Sequence, residues 1–215
     1  MNSIFDKIYV ITTSRNINKQ QHIYNILHNK LNLKFEFIYS IDMKNLQFMI
    51  NYNNMNFSYD CPEDTIDYKY SHIGCSFTHH TAISNAYWHN YNNVLIIEDD
   101  AKFINDINYI EYVLNNIPED ADFIRYGLTY RENINNFEDI NSIYISNDVC
   151  SVGAQCYAIC NRQTMKKWLD YMNNKFVEAD DICLWNLGKT YQLKRLICID
   201  PNADIKNKLI TDIYE

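Results

Sequence analysis

Glycine and proline are scarce, at 4 and 3 of 215 residues, while Asn, Ile and Tyr abound. That bias matches the codon usage of an A/T-rich genome and carries no chemistry. Long apolar runs are missing too: no stretch reaches the about 18 residues of a membrane span. The polar start, Met1 to Lys7, lacks the charged head and apolar stretch of a signal peptide. Neither a span nor a leader is expected. Basic residues fall short of acidic ones, 19 against 27, for a net charge of -8. The long-range field therefore repels phosphate backbones and anionic membrane surfaces, which argues against nucleic-acid binding. No CxxC pair occurs among the seven cysteines (61, 75, 150, 156, 160, 183 and 198), whose number is odd. They are expected to be free thiols in a reducing compartment, the cytoplasm or the cytosolic face of a membrane.

What is present suits one compact domain. At 47% hydrophobic and 21% charged, 215 residues can bury a sizeable core. No repeat, low-complexity linker or composition step marks a boundary. Lys7 to Thr12 (KIYVIT) is an apolar run ending in a polar loop, and so a buried strand. Ile23, Ile26, Leu27 and Leu31 recur at helical spacing within Asn18 to Leu31, and Lys34 to Ser40 returns to strand character. This β-loop-α-β unit predicts a right-handed crossover, a mainly parallel sheet and a ligand site beyond the carboxyl ends of the strands.

Gln47 to Lys69 has no clean period and is expected to be irregular. Ser76 is placed as the cap of a helix whose apolar side includes Phe77, Ile83, Ala86 and Tyr87 and which stops at Asn92-Asn93. Val94 to Ile97 is a short buried strand running into Glu98-Asp99-Asp100. Helices are predicted at Ile107 to Asn116, Thr164 to Tyr171 and Asp180 to Leu187. Strands are predicted at Ala121 to Tyr126, Ile143 to Ile145, Ala154 to Cys160 and Leu193 to Ile199, with a polar tail beyond Pro201. The alternation is α/β throughout.

Three adjacent carboxylates at a strand end repel one another and raise one another's pKa. A hard divalent cation offsets that repulsion, and carboxylate oxygens are what Mg2+ and Mn2+ select. Strand alternation would put Glu98 and Asp100 on one side and Asp99 on the other, a workable ion clamp. Solvated turn residues capping the segment after Ala101 are the competing reading.

Ile73-Gly74-Cys75-Ser76-Phe77-Thr78-His79, then Trp88, then Val94 to Ile97 with Glu98-Asp99-Asp100-Ala101, resembles the central signature of glycosyltransferase family 25, the lipooligosaccharide and collagen-type galactosyltransferases. The family's pattern is I-G-C, two residues, Ser-His, a helix, an apolar strand and L-E-D-D. Thr78 stands here for the Ser and Ile97 for the Leu. Lys7 to Arg15, Ser40-Ile41-Asp42, Asp122 to Gly127, Gly153 to Ile159 and Val177 to Asp181 look like further family segments in order, although Thr12-Thr13-Ser14 departs from the usual Asn-Leu-Asp.

The resemblance implies a GT-A-like single domain, with a nucleotide-sugar half at about 1-101, an acceptor and catalytic half at about 102-200 and a tail at 201-215. It also implies a UDP-sugar donor, Mn2+ or Mg2+, inversion, and a glycan or protein hydroxyl as acceptor. On that basis Glu98 and Asp100 are the candidate metal ligands. Thr12, Thr13, Arg15, Asp42, Ser76, His79, Glu98 and Asp99 are candidates around the donor, and Asp181 with Asp180 the candidate general base, beside Glu178. Several assignments stay open: His79 faces the donor or packs, His80 packs or lies at the surface, Arg15 meets phosphate or solvent, and Asp42 binds ribose or shapes a turn. No His follows residue 89, so Asp204, Asp212 or water would have to replace a late metal-binding histidine. Tyr68, Tyr70, Trp88, Trp168 and Trp185 stack on ligand rings or fill the core, and the Tyr-rich stretch 52-70 is the candidate acceptor region. A non-catalytic sugar-binding homologue and a metal-dependent phosphohydrolase remain as alternatives, the second weakened by the missing late histidines.

Overall fold

The computed structural model describes residues 4–40, 66–128, 130–131, 143–146, 151–174 and 188–201. Strand β1 (Lys7–Thr12) leads into helix α1 (Ile17–Tyr24), extended by a π-helical turn at Asn25–Lys30, and then strand β2 (Glu36–Tyr39). Helix α2 (Ile66–Trp88), strands β3 (Val94–Glu98) and β4 (Lys102–Phe103), and helix α3 (Ile107–Leu114) follow. Next come β5 (Phe123–Leu128), β6 (Tyr130–Arg131), β7 (Tyr144–Ser146), β8 (Ser151–Val152) and β9 (Cys156–Ile159). Helix α4 (Arg162–Asn174) and strands β10 (Thr190–Leu193) and β11 (Cys198–Ile199) complete the described elements.

One nine-stranded sheet has the order β2-β1-β3-β9-β5-β10-β7, with β11 beside β5 and β4 beside β11, while β6 and β8 pair separately. Within it, β1 is parallel to β2 and β3, and β5 to β10 and β11. Against these stand antiparallel pairs of β9 with β3 and β5, β7 with β10, and β4 with β11. The sheet is mixed, which corrects the expectation of a mainly parallel one. The β-α-β logic holds for β1, α1 and β2, but β9 enters between β3 and β5 in the opposite direction. An apolar strand signal carries no direction.

Alternation along the strands divides the core into two layers. Ile8 and Val10 of β1, with Leu95 and Ile97 of β3, pack among residues of α1, its π-helical extension and α3. Tyr9 and Ile11, with Val94 and Ile96, pack with α2 and α4. A sheet covered on both sides explains why these strands are apolar throughout.

Several expected boundaries shift. α2 includes Ile66 to Lys69, expected to be irregular, and Ser76 lies in its interior, 1% exposed, rather than at its cap. Ile83 and Ala86 are buried as expected, but Phe77 is 42% exposed, and the buried side of α2 runs on through Ile73, Ser76, Thr78, His79 and Ala82. β5 continues through Gly127, and the single last strand is two, both paired with β5. The expected helix at Asp180 to Leu187, the remainder of the Gln47 to Lys69 excursion and the tail beyond Pro201 lie outside the described residues. Cys75, Cys156, Cys160 and Cys198 are free thiols, and Cys61, Cys150 and Cys183 lie outside the described residues. Among the described residues no helix is long and apolar enough to cross a membrane.

Candidate active site

β1 and β3 are parallel neighbours in register, Ile11 opposite Glu98, so they end at one edge and their following loops emerge together. The chain turns at once after β3: the Ala101 amide donates to the Glu98 carbonyl at 3.1 Å. Strand alternation therefore stops at Glu98, which finds its partners on α2, while Asp99 and Asp100 share Lys19 of α1.

Asp99 turns inward beneath the first loop. The Thr12 hydroxyl donates to its Oδ2 at 2.6 Å and the Asn16 amide at 2.9 Å, while its backbone N–H donates to the Ile11 carbonyl at 2.9 Å. Lys19 of α1 stands 3.6 Å from its Oδ1. Asp99 thus clasps the 12–16 loop to the end of β3.

Glu98 continues the alternation that sends Val94 and Ile96 toward α2. There its Oε1 lies 3.0 Å from His79 Nε2 and 3.7 Å from Cys75 Sγ. Nδ1 of His79 is 2.7 Å from the Tyr157 hydroxyl, and the two rings stack at 5.6 Å. Tyr157 sits on β9 opposite Ile96, so the register of β3 with β9 places the phenol beneath the imidazole. His79 is fully buried.

Asp100 follows at the turn itself. Burial first, then repulsion from Glu98, raises its pKa, against the pull of Lys19 at 3.4 Å. Burial disfavours the charge on Lys19, but Asp100 and Asp99 outweigh that and raise its pKa. Among the described residues, Oδ1 of Asp100 and the hydroxyl of Thr13 are buried with no hydrogen-bond partner. An orphaned carboxylate oxygen in that setting is the kind of acceptor a hard cation takes.

The structure thus brings together Thr12, Thr13, His79, Glu98, Asp99 and Asp100, with Arg15 exposed on the same loop and Ser76 buried within α2. Asp42, Glu178, Asp180, Asp181, Asp204 and Asp212 lie outside the described residues. His80 is half-buried, its ring 6.2 Å from that of Trp168, which is core; Trp88 is exposed. Sequence reasoning did not single out Asn16, Lys19 or Tyr157 for this site. Only the phenol had a signal, the G-x-x-x-Y strand at Gly153 to Ile159.

No curated protein matches the chain. The family model described as glycosyltransferase family 25 (LPS biosynthesis protein) matches residues 5–183, a span that contains every element from β1 through α4. With the acids, the I-G-C helix and their shared sheet edge all inside that match, the chain belongs to glycosyltransferase family 25.

Proposed function

We infer that this glycosyltransferase moves a hexose, galactose or glucose, from a UDP-sugar to a hydroxyl of a glycan or protein acceptor, with inversion, at the edge where β1 and β3 end. The observation that carries this reading is the orphaned Asp100 oxygen beside Glu98 on a chain of net charge -8. So acidic an edge attracts a diphosphate only through a cation. Glu98 and Asp100 would hold Mn2+ or Mg2+, and such an ion supplies electrostatic stabilisation of the leaving diphosphate. Thr13 and Arg15 stand on the loop nearest the nucleotide, and Thr12 and Asp99 fix its path. Asp42 is assigned to the ribose or base, and Ser76 and His79 to the wall behind the acids.

The acceptor hydroxyl attacks from the side opposite the leaving group, so its proton goes to a second acidic site; Asp181 or Asp180 is the base in this reading. The free thiols accord with a reducing, cytoplasmic setting. Calorimetry with UDP tests the donor assignment: binding should require Mn2+ and weaken sharply in Asp100→Asn. UDP affinity that survives EDTA, or survives Asp100→Asn undiminished, overturns it.

A further inference from the structure

We propose that Cys75, His79 and Glu98 form a zinc-class metal site with three protein ligands and an open fourth position. This goes beyond the donor reading and does not rest on it, although Glu98 belongs to both. Thiol and imidazole stand at i and i+4 of α2 and so share one side of the helix, and β3 delivers the carboxylate as its last residue.

The geometry is close to what a tetrahedral ion needs. Sγ, a ring nitrogen and a carboxylate oxygen all lie within 4.8 Å of one another. With Zn–S near 2.3 Å and Zn–N and Zn–O near 2.0 Å, the ligand-to-ligand edges of a tetrahedron come to about 3.3–3.6 Å. The two separations centred on Glu98 Oε1, 3.0 Å to His79 Nε2 and 3.7 Å to Cys75 Sγ, bracket that range. Small side-chain adjustments admit the ion. Among the described residues no other His, Cys, Asp and Glu group gathers its ligand atoms this closely.

The surroundings supply what a metal-bound imidazole requires. When Nε2 binds a metal, Nδ1 carries the ring proton and needs an acceptor, and the Tyr157 oxygen stands 2.7 Å from it. His79 is fully buried, whereas Cys75 is half-buried and the Glu98 side chain 18% exposed. Solvent therefore reaches the site from the thiol and carboxylate side, where the fourth ligand would enter. One thiolate and one carboxylate neutralise a dication, and the Cys75 thiol proton is released as the ion binds. A sulfur-nitrogen-oxygen set prefers Zn2+ to Mg2+ or Mn2+.

The test uses the full chain without nucleotide, so its failure leaves the donor reading standing and the reverse also holds. After dialysis against Zn2+, metal analysis should find about one ion per chain bound at this three-ligand site. Co2+ as a probe should give a thiolate charge-transfer band that Zn2+ abolishes and excess Mg2+ does not. Cys75→Ser should lose the band. Tyr157→Phe, which keeps the ring, should weaken zinc binding roughly 10- to 100-fold with an unchanged circular dichroism spectrum. Wild-type protein that retains no zinc, or zinc affinity unchanged in both Cys75→Ser and Tyr157→Phe, overturns the proposal.

Discussion

At the scale of single residues, neighbouring Asp99 and Asp100 have opposite roles. Asp99 accepts from Thr12 and Asn16 inside the protein, so Asp99→Asn turns a charged acceptor into an amide facing two donors. Loss of such buried, charge-assisted bonds costs about 1–3 kcal/mol, which at this size lowers Tm by several degrees. Asp100 is held against burial and the charge of Glu98, and its ion pair with Lys19 is partly exposed. Asp100→Asn relieves the repulsion and gives up only a weak pair, so it should leave Tm unchanged or raise it. Thermal denaturation of the two variants decides the matter: a larger loss in Asp100→Asn than in Asp99→Asn would reverse the assignment. The proposed base, Asp181 or Asp180, belongs to this scale too. Replacing it should lower turnover roughly 10²- to 10⁴-fold with UDP affinity nearly intact. Near-normal transfer in both Asp180→Asn and Asp181→Asn would place the base elsewhere.

At the scale of elements, a sharp packing constraint lies where β5 carries Gly127. That residue pairs with Cys156 of β9 on one side and Cys198 of β11 on the other. A Cβ there would meet Cys198 Sγ at 2.2 Å, the Cys198 carbonyl oxygen at 3.0 Å and Cys156 Cβ at 3.3 Å. The fully buried Cys198 thiol would have to turn away inside the core, and its carbonyl would have to give by a few tenths of an ångström, so Gly127→Ala strains the pairing of β5 with β11. The expected penalty is about 1–3 kcal/mol, read as a lower denaturation midpoint; an unchanged midpoint would mean that β11 is not packed against Gly127 in solution. Legibility from sequence also varied by element. β1 and β3 were evident because four or more apolar residues in a row end at polar loops. The start of α2 was hidden by its Asn- and Tyr-rich lead-in, and its buried side by polar residues, Ser76, Thr78 and His79, that sit inside.

For the molecule as a whole, 18 tyrosines make alkaline pH informative. Burial, then Glu36 and Tyr91, pushes Tyr9 from its ordinary 10.0 up to about 12, and burial raises Tyr126 and Tyr144 as well. Between the ordinary and raised values the folded chain holds protons that the unfolded chain has released, so stability falls as pH rises through that window. A spectrophotometric titration should show a late class of phenols that ionises only as the fold is lost. Complete ionisation in one phase with the circular dichroism intact would contradict this burial.

The acids at the end of an apolar strand, the stripe of Ile23, Ile26, Leu27 and Leu31 and, through the I-G-C and E-D-D segments, the family were legible in the chain before folding. These are local patterns, written in adjacent residues or at helical spacing. That β9 runs antiparallel, that Asp99 clasps Thr12 from 87 residues away, and that Tyr157 meets His79 across 78 emerges only when the layers assemble. Strand direction and long-range register come from which edges pair and which layers bury together, and neither leaves a mark in the residues it joins.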